Sequence, residues 1–510
     1  MKDRNRILLI VFGCGASSMA IEMTASRMIS NVYSGVNVVW AAIIGSILIY
    51  LAVGNWLGSR YMAKHSTLPN LARLVLLAGV LTCLIPVIAR PLLGLAAVKI
   101  PQVNIPVVSV IFIGVLLTLS LPMILLGMIT PAALTLIRIA EPQKEGAGIL
   151  LAASTTGSFL GTLLPIFFLI PQFGSTRTFL IIGSFLILLS VVGLSTKKQL
   201  GTHLLLLLLA LLLLIFFPAK PLNSNQDLLS VESTYQLVRV QQENGFTILC
   251  LNEGQGIQSI YHPEIENYYG PWEQILTAPF FFSVSDSLPE VKNVAILGFA
   301  GGTAARQLVK VFPEVGIDGF EIDGEVVDAA HRFFDLPEEN LTLQTNDGRI
   351  GLLQSNTEYD IVMVDAFNAH YIPANLCTQE FFRIVSSKLS QRGVMLMNIG
   401  GTSENHPLVD AILRTAASVF ESVFTLQIPD SYNYVLYAMN FPSSVEIIEQ
   451  NYANFSQSER YPSLLKETLS IAVNGLTKPE IPSGILLTDD HAPVERLADL
   501  TLFNAIRSYP

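Results

Sequence analysis

The chain of 510 residues is 51% hydrophobic and only 14% charged, too apolar for an ordinary soluble protein and long for one domain. A formal net charge of -10, without clustered Lys and Arg, argues against nucleic acid as a partner and for a small metabolite. Four cysteines with no CxxC pair, and seven scattered histidines, signal neither a disulfide framework nor a metal site.

The long uncharged runs crowd into the first 220 positions. Seven of them approach the roughly 20 apolar residues needed to cross hydrocarbon, at about 7–29, 36–57, 72–96, 106–128, 147–170, 178–195 and 202–217. The first is too long, and too soon followed by another, for a cleaved signal peptide. Gly54 with Gly58, and Gly157 with Gly161, have the small-xxx-small spacing that lets helix backbones approach closely. Pro122 and Pro131 fall in the apolar stretch Ile105–Ala140, which is either one long kinked crossing or a crossing with a re-entrant piece. Glu22 and Arg27 sit in an apolar run, and two readings stand. They make polar contacts inside the bundle, or Arg27 snorkels while Glu22 meets a hydroxyl of Ser17, Ser18 or Thr24.

These runs predict a multi-pass protein of the cell's inner (plasma) membrane, with the lipid bilayer as a partner. Basic residues gather at Lys2, Arg4 and Arg6, then at Arg60, Lys64 and Arg73, at Arg138 and Lys144, and at Lys197 and Lys198. The positive-inside rule makes those sides cytoplasmic, so seven crossings leave the second half outside, where a nucleotide is scarce. The side of the soluble half stays open, as does a homo-oligomeric state.

Past the runs, Val231–Tyr261 turns to short alternating strands with Asn244-Gly245 as a hairpin signal. After Pro289 apolar strands alternate with amphipathic helices: NVAILG, a helix from Ala304, GIDGFEI, a helix from Glu325, LTLQT, DIVMVDAF, a helix from Gln379, GVMLMNI, a helix from Pro407, and strands near Val423 and Val435. The predicted organisation is a transmembrane helical domain over 1–220, a hairpin-rich β subdomain over 221–288, and a doubly wound Rossmann-like α/β domain over 289–510.

In such a sheet the ligand lies outside the carboxyl ends of the strands. Gly298, Ala300, Gly301 and Gly302 form a loop there that opens a helix, where backbone can approach a ligand. Glu321 and Asp323 end the second strand, where a carboxylate accepts ribose hydroxyls. Asp347 and Gly348 follow the third strand, where an acceptor meets an adenine amino group, and Asp365 ends the fourth beside the reacting end.

The stretches ESTYQLVRV, LNEGQGIQSI, FEIDGEVVDAAHRFF, NDGR, YDIVMVDAF and LTDDHAPVE, with the glycine loop, resemble the spermidine synthase (polyamine aminopropyltransferase) family in its bacterial membrane-fused branch. The resemblance implies an enzyme without a prosthetic group, whose substrate is decarboxylated S-adenosylmethionine and whose product is methylthioadenosine. It implies that Glu321 holds the ribose and Asp347 the adenine, that Gln236 and Gln258 line the donor site, that Glu273 is retained, and that Asp365 orients or deprotonates the attacking amine. Gly301 stands where the family has an Asp for the donor amine, Asn368 where it has a second acid, and Pro271 and Thr277 where it has Tyr and His. A dicationic acceptor needs carboxylates to offset its desolvation, so these departures weaken an amine site. Loss of the Asp also removes the charge that would repel the carboxylate of ordinary S-adenosylmethionine. Three alternatives remain open: lyase or cyclising cleavage of S-adenosylmethionine or its decarboxylated form, aminopropyl transfer by a polyamine synthase proper, and a nucleotide-gated transporter or sensor without catalysis. A methyltransferase fits the β subdomain and the YQ and GQGIQ segments less well.

Overall fold

The computed structural model describes residues 3–33, 37–99, 105–140, 146–193, 197–217, 227–253, 256–284, 287–367, 372–400, 406–431 and 433–498. It forms two compact units. One is Met1–Asn225 with Ser230–Leu237 and Asn252–Gly254, and the other is Gln226–Leu229, Val238–Leu251 and Gln255–Pro510.

The first unit is helical: α1 (Asp3–Tyr33), α2 (Asn37–Lys64), α3 (Leu68–Lys99), α4 (Ile105–Ala140), α5 (Ala147–Leu164), α6 (Ile170–Ser190) and α7 (Lys197–Phe216). Among the described residues five stretches are long and apolar enough to cross a membrane: Asp3–Tyr33, Val39–Lys64, Leu68–Ala96, Ser109–Ile139 and Ala147–Gly193; Leu200–Phe216 is a shorter apolar helix. The fifth stretch contains the two sequence runs at 147–170 and 178–195, joined through a π-helical turn at Pro165–Leu169 and broken at Gly174 (φ 75, ψ 161). Pro122 and Pro131 both lie inside α4, so Ile105–Ala140 is one helix rather than a re-entrant pair.

Both glycine pairs are sites of backbone contact. A Cβ on Gly54 would meet the Ile124 carbonyl oxygen, and one on Gly58 would lie 2.5 Å from that of Met128, so α2 rides directly on α4. Cβ atoms on Gly157 and Gly161 would collide with the carbonyls of Phe12 and Ala16, which fixes α5 against α1. The Arg27 guanidinium donates to the carbonyls of Ser233 and Tyr235 and stands 3.8 Å from the Glu232 carboxylate. Glu22 is buried, while the Ser17 and Thr24 hydroxyls donate to Gly13 and Ala20 of their own helix.

The remaining strands begin with β1 (Asp227–Glu232), β2 (Leu237–Glu243), β3 (Phe246–Leu251) and β4 (Ile257–Tyr261), a four-stranded sheet in that order. Asn244 (φ 50) and Gly245 (φ 87) turn β2 into β3 with both central residues left-handed, as a two-residue hairpin matched to strand twist requires.

The large sheet of the second unit has eight strands: β5 (Asn293–Leu297), β6 (Gly316–Glu321), β7 (Leu341–Thr345), β8 (Tyr359–Val364), β9 (Leu389–Gly400), β10 (Ser422–Gln427), β11 (Asn433–Met439) and β12 (Leu476–Thr477). Their order is β12-β10-β11-β9-β8-β5-β6-β7. Strands β7, β6, β5, β8 and β9 are parallel, and β11, β10 and β12 continue the sheet antiparallel. The crossovers are α8 (Thr303–Val311), α9 (Gly324–Phe333), α10 (Gly348–Gln354) and α11 (Gln379–Lys388), with α12 (Pro407–Ala417) leading into the antiparallel edge. Two further helices, α13 (Val445–Ser456) and α14 (Ser463–Gly475), carry the chain to β12. Buried Val362, Val364, Met395 and Met397 fill the middle of the sheet, so β8 and β9 read as continuous apolar runs. The chain runs outward through β5, β6 and β7 and then returns to β8 on the other side of β5, which puts the reversal of strand order between β5 and β8.

Gly161→Leu is expected to force α1 and α5 apart, a loss of about 1–3 kcal/mol or more from overpacking. Thermal unfolding of the purified chain checks it; an unchanged midpoint would mean that the α1–α5 contact is not a close backbone approach.

Candidate functional site

The site is built at that reversal. Past the end of β5, Gly298 donates its N–H to the Phe320 carbonyl (2.9 Å), and Asp365, just past β8, donates to Leu297 (2.9 Å). The two loops leave the sheet so close together that a Cβ on Gly298 (φ 84) would lie 2.5 Å from the Asp365 carbonyl oxygen, so only glycine fits. Ala300 (φ 49) and Gly302 (φ 71) take left-handed conformations, and Gly302 is the N-cap of α8.

Ala300 is held in that geometry by Glu321, whose Oε2 accepts its N–H at 3.0 Å while Oε1 accepts that of Asp323 at 3.2 Å. Burial pushes the Glu321 carboxyl up to about 7, against the lowering effect of these backbone donors. Gly301 donates to Ser259 Oγ (2.8 Å), and a Cβ on it would lie 2.8 Å from the Ser259 Cβ and 2.9 Å from Phe334. The loop is packed for a residue without a side chain. Arg306 ties it down from behind, donating to the carbonyls of Gly301, Phe334 and Ile260 (2.7 Å each). Burial lowers that guanidinium to about 10, so it keeps its charge at neutral pH.

Asp365 accepts from Asn398 Nδ2 of β9 at 2.8 Å. Burial pushes its carboxyl up to about 6, against the opposing Asn398 hydrogen bond. Gln258, Trp272, Gly298, Ala300, Gly302 and Asp365 line one cavity of about 10 Å³. That is room for roughly one water, so a larger ligand enters only with movement of the side chains over it.

The other residues singled out in the sequence are distributed around this centre. Asp323 and Asp347 are N-caps of α9 and α10, accepting from Glu325 (3.1 Å) and Ile350 (3.0 Å). Gly348 starts α10 where a Cβ would come within 3.0 Å of Leu297. Glu273 is buried and its carboxylate accepts from the Tyr268 and Gly270 backbone and from Gln307 Nε2; burial raises it. Gln236 belongs to the first unit, where its carbonyl accepts from the Ser233 backbone (2.8 Å). Asn368 lies outside the described residues. The NDGR and LTDDHAPVE segments meet through a two-pronged ion pair, Arg349 to Asp489 at 2.8 and 2.7 Å, which holds the Asp489 carboxyl down at about 2. Among the described residues no group of three or more His, Cys, Asp or Glu is placed to hold a metal ion.

Sequence reasoning missed Ser259, Trp272, Arg306 and Asn398. Asn398 carried a usable signal, a polar residue interrupting the apolar run Val394–Ile399 of β9. Arg306 carried none, because a basic residue one turn into a helix is ordinary.

Fold and site together define a doubly wound α/β domain with its candidate ligand edge at the reversal of strand order. A family model described as the spermine/spermidine synthase domain matches residues 277–449. The chain is 30% identical over 252 residues to a polyamine aminopropyltransferase of Vibrio vulnificus, covering 46% of this chain and 82% of that one. It is 31% identical over 281 residues to a probable polyamine aminopropyl transferase of Bifidobacterium longum, covering 52% of this chain and 61% of that relative's length. A spermidine synthase structure from Thermotoga maritima aligns at 18% identity and a TM-score of 0.36, over 48% of this chain and 88% of that one. The chain belongs to the spermine/spermidine synthase family.

Both raised carboxyls can be titrated without a ligand. Difference infrared spectra are expected to show carboxyl groups deprotonating near pH 6 and pH 7, the first lost in Asp365→Asn and the second in Glu321→Gln. Because each holds its proton more tightly folded than unfolded, the stability it contributes is full below about pH 4 and is lost as pH rises through 6 to 7. Glu321→Gln should therefore flatten the fall in melting temperature between pH 5 and 8. A fall as steep as that of the unaltered protein would remove Glu321 as its source.

Proposed function

We propose that the protein is a membrane-held, spermidine-synthase-like enzyme that binds S-adenosylmethionine or its decarboxylated form and releases methylthioadenosine. The observation that carries this reading is the placement of Asp365, desolvated and oriented by Asn398, on the same cavity wall as Gly298 and Ala300, with Glu321 under the loop. A buried carboxylate beside a left-handed glycine loop is suited to an adenosine whose ribose hydroxyls take over Glu321 as acceptor. Asp365 then faces the sulfonium end. There the C–S bond breaks with its electron pair moving to sulfur, which leaves as a neutral thioether. The carbon is taken by a nucleophile: an amine that gives its proton to Asp365, or the substrate's own carboxylate in a cyclisation. In an elimination Asp365 takes the proton from carbon instead.

The Gly301 packing supports ordinary S-adenosylmethionine as the ligand. An Asp at that position would need Ser259 and Phe334 to move, so this loop does not supply the carboxylate that would repel ordinary S-adenosylmethionine. A second reading, aminopropyl transfer to a polyamine, is favoured by the relatives, a polyamine aminopropyltransferase and a probable one. The five long apolar helices support insertion of the first unit in a bilayer.

Purified protein incubated with either sulfonium nucleotide is expected to form methylthioadenosine without added amine, read by mass spectrometry, and Asp365→Ala should lower the rate at least a hundredfold. Product only when putrescine or spermidine is present would transfer the assignment to the second reading. Binding without turnover would end both. If Asp365 is the base, the rate should fall about tenfold per pH unit below about 6 and level off above it, since only the deprotonated carboxylate accepts a proton.

A further inference from the structure

The first unit holds a cavity of about 230 Å³ made by its own residues alone, none of which lines the glycine-loop cavity. It forms where Gly174 breaks the fifth apolar stretch and a helix resumes at Ser175. The start of that helix is already satisfied: Ser175 donates its N–H to Glu232 Oε1 at 2.8 Å and its hydroxyl to Oε2 at 2.5 Å. Glu232 in turn is 3.8 Å from Arg27. Arg90 lines the cavity in the electrostatic field of Glu253 and Glu232.

Arg177, on the first turn of the resumed helix, is different. It lines the cavity, and its Nε is buried with no hydrogen-bond partner among the described residues. Buried N–H groups of this kind are normally paired, by protein, water or ligand. Arg90 and Arg177 line the cavity with the two carboxylates Glu232 and Glu253, and Glu232 already accepts from Ser175 and faces Arg27. The rest of the wall is partly apolar, with Met28, Val32 and Leu93. A volume on the order of seven waters, at about 30 Å³ each, suits a molecule of amino-acid size. A dianion would face two carboxylates, and a lone amine would bring no acceptor to the unpartnered Arg177 Nε.

The geometry points to a second small-molecule site here, one that takes a monocarboxylate with a short apolar body, the carboxylate on Arg177 and the body against Met28, Val32 and Leu93. A guanidinium meets a carboxylate through two parallel N–H donors, which a lysine in its place does not reproduce.

Isothermal titration of the full chain in detergent micelles tests this with butanoate and hexanoate as probes, and with inorganic phosphate and phosphatidylglycerol vesicles as controls. At least one carboxylate is expected to saturate. Arg177→Gln should weaken it tenfold or more and Arg177→Lys by less, with melting temperature and circular dichroism unchanged. Asp365→Asn, which alters the other site, should leave it intact. The proposal is overturned if neither carboxylate saturates, if binding survives Arg177→Gln or is lost in Asp365→Asn, or if only phosphate or only the vesicles bind.

Discussion

Three strand ends meet at Gly298, and their spacing sets what the α/β domain can hold. The loop after β5 passes so near the backbone of Asp365 that no side chain fits between them, and the same loop rests its Ala300 N–H on Glu321 at the end of β6. One glycine therefore brings two buried carboxyls, Asp365 and Glu321, and a left-handed backbone turn to one edge of the sheet. Arg306, buried beneath, ties the loop carbonyl of Gly301 to those of Phe334 and Ile260.

The same packing explains the altered electrostatics. Asp365 and Glu321 are both held above the usual carboxylate range chiefly by desolvation. A carboxylate so placed gains from a positively charged or hydroxyl-bearing ligand what it lost on burial. Asp489, by contrast, is held down by Arg349, and that pair is structural: it clasps the segment after the last strand to the start of α10. Carboxyls of opposite tendency thus separate site from scaffold.

In the helical unit the organising contacts are of another kind. Close backbone approach at Gly157 and Gly161 packs α1 on α5, and Glu232 caps the helix that restarts after Gly174 while facing Arg27. The Glu-Ser-Thr-Tyr-Gln segment, which resembles family sequence, thereby serves the helical unit through Glu232 and the Ser233 and Tyr235 carbonyls.

The sequence by itself determined the features that depend on near neighbours. Apolar run length marked the helices, alternation and Asn244-Gly245 marked the hairpin, and the order of glycine loop and acids marked the edge of the sheet where Gln258, Gly298, Ala300, Gly302 and Asp365 share a cavity. These signals are local because they rest on helix and strand periodicity and on turn conformations that few residues adopt. Only the tertiary structure decided that Pro122 and Pro131 stay within one helix, that Gly174 breaks another, that β12 adds a third antiparallel strand, and that Asn398 orients Asp365. Each of these turns on partners far apart along the chain. Whether a proline is tolerated, a glycine unwinds or a carboxyl keeps its proton is settled by which distant groups satisfy its hydrogen bonds and exclude water from it.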